Sequence, residues 1–220
     1  MKIKEWIRVY FSLQWHHVKE AVHTFVHYHR HPKFRKMNWK LKTAYLTQSP
    51  YKVSKEFLVK KGDSDIFTYG HTPLSTLHKI AKETSLNNTD NVLDLGCGIG
   101  QTTMWLNTFF GCNATGVDHN PIFISRANRI VKKNHELKFS CKDLLDTDYS
   151  KSTWVYLYGS CFEDEFVQRL TKKMESLPSG AQVVTVSYPI TDYSNNFKLE
   201  KVFPSAYPWG IAEVFVQRRL

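Results

Sequence analysis

The spacing of hydrophobic and polar residues changes character near residue 68, and the part beyond it is the more regular. Short apolar runs at residues 91–95, 113–118, 137–140, 153–158 and 182–187 have the length and composition of buried strands. Residues 101–110, 121–134 and 163–177 carry apolar positions at helical spacing. Strands alternating with helices predict a parallel sheet covered on both faces. Two further strands, 197–203 and 213–217, have no helix between them, so they pair as a hairpin and bring one antiparallel strand into the sheet. The fold class is therefore α/β, Rossmann-like, with a seven-stranded and mostly parallel sheet.

Ahead of this region, Ile3, Trp6, Ile7, Tyr10, Phe11, Val18, Ala21, Val22, Phe25 and Val26 recur at helical spacing, which predicts one long or broken amphipathic helix before Pro32. Its apolar face is expected to pack over the α/β domain, leaving a solvated side rich in Lys, Arg and His. Docking onto an acidic macromolecule or an anionic membrane surface are the sharper readings. Residues 50–61 form a short helix closed by Gly62. In Thr68-Tyr69-Gly70-His71-Thr72-Pro73 a glycine turn is followed by Thr72 as N-cap and Pro73 at the first helical position. The helix so started, 73–86, places Leu74, Leu77, Ile80 and Ala81 on one face.

At 220 residues, 42% of them hydrophobic, the chain suits one domain with an appendage. Charge divides it in the same place. Residues 1–61 hold 14 Lys or Arg against 3 acidic residues, and residues 62–220 hold 16 against 17. The division is thus a basic, aromatic- and His-rich helical extension over 1–61 and an α/β domain over 62–220. Residues 32–42 interleave basic and aromatic side chains, which suits phosphate contacts with stacking, or a strap across a core. Of six histidines in the extension, His23 and His27 are spaced to meet a metal on one helix face. No Cys or carboxylate stands at ligand spacing beside them, so surface histidines are expected and no metal site. The four cysteines, at 97, 112, 141 and 161, form no C-x-x-C and read as reduced, buried residues of a cytoplasmic protein. Polar residues interrupt every apolar run near the start, so neither a secretory signal nor a transmembrane segment of roughly 20 apolar residues is expected.

The candidate chemistry lies where the strand at 91–95 meets Gly96, Gly98 and Gly100 and then a helix. Alternating glycines remove the β-carbons that would block a ligand, and the helix start offers unpaired N–H groups. Asp94 within the strand end needs hydrogen bonds or a cation if buried. Asp118, at the end of the next strand, suits a carboxylate gripping ribose hydroxyls. A nicotinamide fingerprint wants G-x-G-x-x-G, whereas this loop reads G-x-G-x-G followed by Gln101.

That spacing resembles motif I of the class I S-adenosylmethionine-dependent methyltransferases, and the resemblance runs over roughly residues 68 to 218. It implies that 62–220 is a methyltransferase domain binding S-adenosyl-L-methionine, with S-adenosyl-L-homocysteine as product. It places Asp94 by the methionine end, Asp118 at the ribose and Asp143 by the adenine, with Gln101, Thr102, His119 and Leu144 in the same loops. Tyr69-Gly70-His71-Thr72 resembles the Y-G-E-T cofactor-covering loop of the "disruptor of telomeric silencing" lysine methyltransferases. Residues 155–189 share the layout of that family and of its relatives that methylate the ATP synthase c subunit. Two departures stand out: His71 replaces the loop glutamate, and Tyr158-Gly159 replaces an Asn pair.

The resemblance implies methylation of a protein lysine. Tyr69, Tyr158 and Tyr188 are the candidate walls of an acceptor channel, with Tyr69 and Tyr158 positioning the reacting groups, and Tyr156 is expected in the core. No [N/D]-P-P-[Y/F] motif and no Thr-Cys pair follow the fourth strand. An RNA acceptor held by the basic extension is the second reading, in which removing residues 1–42 abolishes nucleic-acid affinity and spares cofactor affinity. A non-catalytic cofactor-binding scaffold is the third.

Overall fold

The computed structural model describes residues 3–63, 65–132 and 134–220. Strands β1 (Asn91–Leu95), β2 (Asn113–Asp118), β3 (Leu137–Cys141), β4 (Trp154–Leu157) and β5 (Gln182–Val186) lie parallel in the order β3-β2-β1-β4-β5. The hairpin β6 (Phe197–Tyr207) and β7 (Gly210–Arg219) follows, with β7 antiparallel to both β5 and β6, and β6 at the edge. The chain builds outward from β1 through β2 to β3, then returns to start β4 on the other side of β1. A crevice therefore opens at the carboxyl ends of β1 and β4, where the strand order switches.

Side-chain alternation splits the core between the two faces. On one, Leu93, Leu95, Val155, Leu157 and Val183 meet Val167, Leu170 and Met174 of α7 (Asp164–Met174). On the other, Val92, Trp154, Tyr156 and Val184 pack beneath α4 (Leu74–Glu83), α5 (Gln101–Phe110) and α6 (Pro121–Val131). Every residue of β4 and β5 is buried, as expected for strands covered on both sides.

Local signals explain most element ends. Helix α3 (Pro50–Lys61) starts with Ser49 accepting the Lys52 amide and stops at Gly62, whose φ of 80° is left-handed. Helix α4 departs from expectation. Pro73 takes the N-cap position, and Thr72 instead shares a 2.6 Å hydrogen bond with the hydroxyl of the buried Tyr156, a polar group that needs a partner inside the core. Strand β6 continues past the expected stop through Pro204 to Tyr207, because an edge strand tolerates proline.

Helices α1 (Ile3–Tyr28) and α2 (Pro32–Ala44) cover the α4–α6 face. Tyr28, Phe34, Met37, Leu41 and Tyr45 join the same cluster as Trp105 of α5 and Phe123 of α6, so residues 32–42 strap the core while Lys33, Arg35, Lys36, Trp39 and Lys42 stay exposed. The expected orientation of α1 is overturned. Val18, Val22, Phe25 and Val26 are exposed with Trp15, and the helix docks on α4 through Glu20 and Tyr28. Glu20 accepts the Ser75 amide and hydroxyl, and Tyr28 bonds His78, so polar side chains fixed the docked face. The side chains of Ile3, Trp6, Ile7, Tyr10, Phe11, His16 and His17 lie outside the described residues. The cysteine expectation is corrected in part. Cys97 and Cys112 are buried, whereas Cys141 and Cys161, where the chain leaves β3 and β4, are exposed.

Candidate active site

The loop from Gly96 to Gly100 joins β1 to α5 and is tied down at its base, where Val117 O of β2 accepts the amides of Gly96 and Cys97 at 2.9 and 3.0 Å. Gly96 has φ 71° with open space where a β-carbon would stand, so it leaves room on the crevice side. Gly100, at φ 80°, serves packing instead, since a β-carbon there would fall 2.5 Å from the Phe139 ring.

Two carboxylates frame this loop. Asp118 Oδ2 accepts the Gly98 amide at 2.9 Å and Oδ1 accepts the Asn120 amide at 2.8 Å. Burial pushes its carboxyl up, and the two amides pull it back. Asp94 is fully enclosed, with Oδ2 accepting the Thr103 hydroxyl at 2.6 Å. Burial pushes its pKa up to about 7, with the charge of Asp118 adding to the rise against the pull of Thr103. A buried acid, Asp94, beside an open glycine turn creates a demand for positive charge, and a sulfonium amino acid with an ammonium group fits it. Tyr69 adds a second sign of fit. Its ring lies 3.0 Å from where a Gly98 β-carbon would be, and its buried hydroxyl has no partner.

Together these residues enclose a cavity of about 20 Å³. Tyr69, Gly70, His71 and Thr72 cover it; Asp94, Leu95, Gly96, Cys97 and Ile99 form its floor; Gln101 and Thr102 of α5, with Tyr156 and Tyr158 after them, close the sides. Sites for small ligands run to about 300 Å³ or more, so the cavity as it stands is smaller than a nucleoside. Residues 65–73, which include the covering residues, have no regular secondary structure and are anchored by the Thr72–Tyr156 bond.

Most of the sequence-derived site converges here. Tyr69, Gly70, Thr72, Asp94, Gly96, Gln101, Thr102 and Tyr158 line the cavity, and Gly98, Gly100 and Asp118 build the loop beneath it. Three residues stand apart. His119 is exposed with its ring 4.9 Å from Phe57; Asp143 is exposed and uses Oδ1 to cap the 3-10 turn Leu144–Asp146; and Leu144 is buried in the α7 core. Tyr188 does not line the cavity; it packs against the α7 side of the sheet, and its buried hydroxyl reaches the Gly159 turn, 3.1 Å from where a β-carbon would stand there. Tyr156 is core, as expected, yet also reaches the cavity.

Two residues were missed altogether. The Trp209 indole donates to the Tyr158 hydroxyl at 2.6 Å, and Tyr207 lies between them, its ring 5.1 Å from Tyr158 and 5.7 Å from Trp209. Only the hairpin turn brings them across some fifty positions of sequence, and spacing gives no hint of that. Among the described residues no group of three or more His, Cys, Asp or Glu side chains is placed to hold a metal. No described helix is long and apolar enough to cross a membrane.

The fold and the glycine loop are those of the class I methyltransferases, and the known proteins to which the chain is similar carry that fold. Residues 94–197 match the family model of the ANTKMT methyltransferase domain. Sterol 24-C-methyltransferase of Kluyveromyces lactis is 26% identical over 121 residues, covering 52% of this chain and 33% of that protein. Phosphoethanolamine N-methyltransferase of Plasmodium falciparum is 28% identical over 86 residues, covering 39% and 32%. The chain thus spans about a third of the length of these curated relatives. An RNA methyltransferase from Salinibacter ruber, solved with S-adenosyl-L-homocysteine, superposes with a TM-score of 0.56 at 20% identity, over 67% of this chain and 92% of that one. The N-methyltransferase NodS from Bradyrhizobium japonicum superposes with 0.57 at 15%, over 66% and 95%.

Proposed function

We propose that this protein transfers a methyl group from S-adenosyl-L-methionine to the ε-amine of a protein lysine. The observation that carries the cofactor is Asp94, a buried acid held near neutrality beside an open glycine turn. The bound sulfonium would supply the activated methyl group. Asp94 then faces the positive end of the ligand, Asp118 keeps the loop in shape and grips the ribose, and Tyr69 covers the site. The acceptor reading is supported by the match to the ANTKMT model and by the aromatic side chains at the cavity's outer end. A lysine must attack as the free amine, and aromatic walls that exclude water favour its uncharged form.

Incubating the protein with methyl-labelled cofactor and cell lysate, then treating with nuclease or protease, tests this. Label that survives nuclease and not protease is the expected result, and the converse would move the acceptor to RNA. Absence of label with intact cofactor binding would leave a scaffold. The RNA reading is favoured by the exposed Lys33, Arg35, Lys36 and Lys42 of α2, and it requires affinity that falls steeply with salt. Removing residues 1–42 no longer serves as its test, because Tyr28, Phe34, Met37 and Leu41 are core. Charge reversal at Lys33, Arg35 and Lys36 replaces it.

A further inference from the structure

The tip of the β6–β7 hairpin reaches the lining of the cavity through Tyr158, far from any sequence motif. Tyr158 stands between the two. Its ring and hydroxyl lie 3.5 and 3.6 Å from where a Gly70 β-carbon would be, beside the cavity, and the hydroxyl accepts the Trp209 indole. Trp209 is 55% exposed, so this bond lies at the boundary with solvent. Tyr207 behind it is buried, with its ring tilted 31° to Tyr158 and nearly parallel, at 19°, to Trp209. Tyr158 and Trp209, backed by the buried Tyr207, make an aromatic wall between solvent and the cavity.

The turn that aims Tyr158 is tightly packed. A side chain on Gly159 would fall 2.5 Å from the Phe162 ring, so Tyr158 is held in place from behind. Trp209 and Ser160 hydrogen-bond the Tyr158 hydroxyl, and Cys161 and Tyr51 lie close enough to act on it. A positive group approaching along the wall therefore meets π faces and hydroxyl oxygens, both of which attract it.

We infer that Tyr158 and Trp209, backed by Tyr207, form the acceptor entrance, and that Trp209 selects a primary ammonium on a flexible apolar stem. This deepens the lysine reading and rests on it, adding the residues that choose the acceptor. The ammonium is received over the indole and phenol faces, the Trp209–Tyr158 bond opens, and the stem follows along the rings. A neutral acceptor of the same shape gains the apolar contact and loses the attraction to the rings.

The test uses the full chain loaded with S-adenosyl-L-homocysteine, so that no turnover intervenes. Ligand-observed NMR titrations compare n-butylammonium with 1-butanol, which has the same stem and no charge. The wild type should bind the ammonium about fivefold more tightly. Trp209→Ala should abolish that preference and Trp209→Phe should keep most of it, while calorimetry finds the same S-adenosyl-L-homocysteine affinity in all three. Equal affinity for the two probes in the wild type, or a preference untouched by Trp209→Ala, would overturn the inference. The readout is independent of the lysate experiment. Label found on RNA beside a Trp209-dependent preference would sink the lysine acceptor and leave the cation-selective entrance standing.

Discussion

Asp94 sets the pH behaviour of the site. Its pKa is pushed up to about 7, so in the free protein it is close to half protonated at neutrality, whereas a cationic ligand binds the ionised form. Affinity for S-adenosyl-L-methionine should therefore rise as pH goes up through 7 and weaken by as much as about tenfold per unit below it. Calorimetry between about pH 6 and 8 reads this directly, and Asp94→Asn should bind weakly with a flat profile. Folding carries the opposite slope. The native carboxyl holds its proton between its ordinary value of 3.8 and about 7, so its burial costs stability increasingly as pH rises across that window. Asp118 acts through geometry, and Asp118→Ala should raise the cofactor dissociation constant by about one to two orders of magnitude, at about 1.4 kcal/mol per tenfold. An unchanged constant would remove ribose gripping from the scheme. At this scale the sequence was informative wherever one loop held the residues together: Asp94, the glycines and Asp118 were all legible from strand–turn–helix spacing. Asp143 stands just after β3, as its spacing implies, while the use of its Oδ1 to cap the 3-10 turn that follows was not legible, because position along the chain does not fix side-chain direction.

Two left-handed glycines give elements with unequal tolerance. Gly62→Ala at the end of α3 meets nothing within 4 Å and should cost about 1 kcal/mol, from backbone strain alone. Gly100→Ala adds overlap with Phe139 and should cost about 2–5 kcal/mol, so thermal denaturation should separate the two variants clearly. The docking of α1 on α4 is the other element-scale device. His23 and His78 have their pKa values lowered, mainly by burial; Lys82, His23 and His27 add to the lowering at His78, while at His23 Glu20 opposes it and His27 adds to it. The docked state thus prefers neutral rings. Its stability is complete above the ordinary value of 6.5 and declines as pH falls below it. Hydrogen exchange at the Ser75 amide, bonded to Glu20, should quicken over that range, and a rate indifferent to pH after correction for intrinsic exchange would dismiss the idea. Helix existence and the α3 end signals were plain in the sequence. The direction α1 faces was not, because periodicity marks an apolar stripe without saying whether anything lies opposite, and the docking is made by Glu20, Tyr28 and His78 instead.

Over the whole molecule, the parallel order and the final hairpin were legible because alternation of strand and helix leaves few topologies. Unreadable was the reach of the hairpin tip back to Tyr158, which depends on β7 slotting between β5 and β6. The extension, too, belongs physically to the core, with Tyr28 to Tyr45 sharing one cluster with Trp105 and Phe123. That insertion of β7 has a bearing on how the protein is made. While the chain is being synthesised, β5 has an open, mostly apolar edge until residues 210–219 emerge and return to it. Until then that edge is free to pair with a wrong strand, so folding of the sheet is completed only by the last stretch of chain in it.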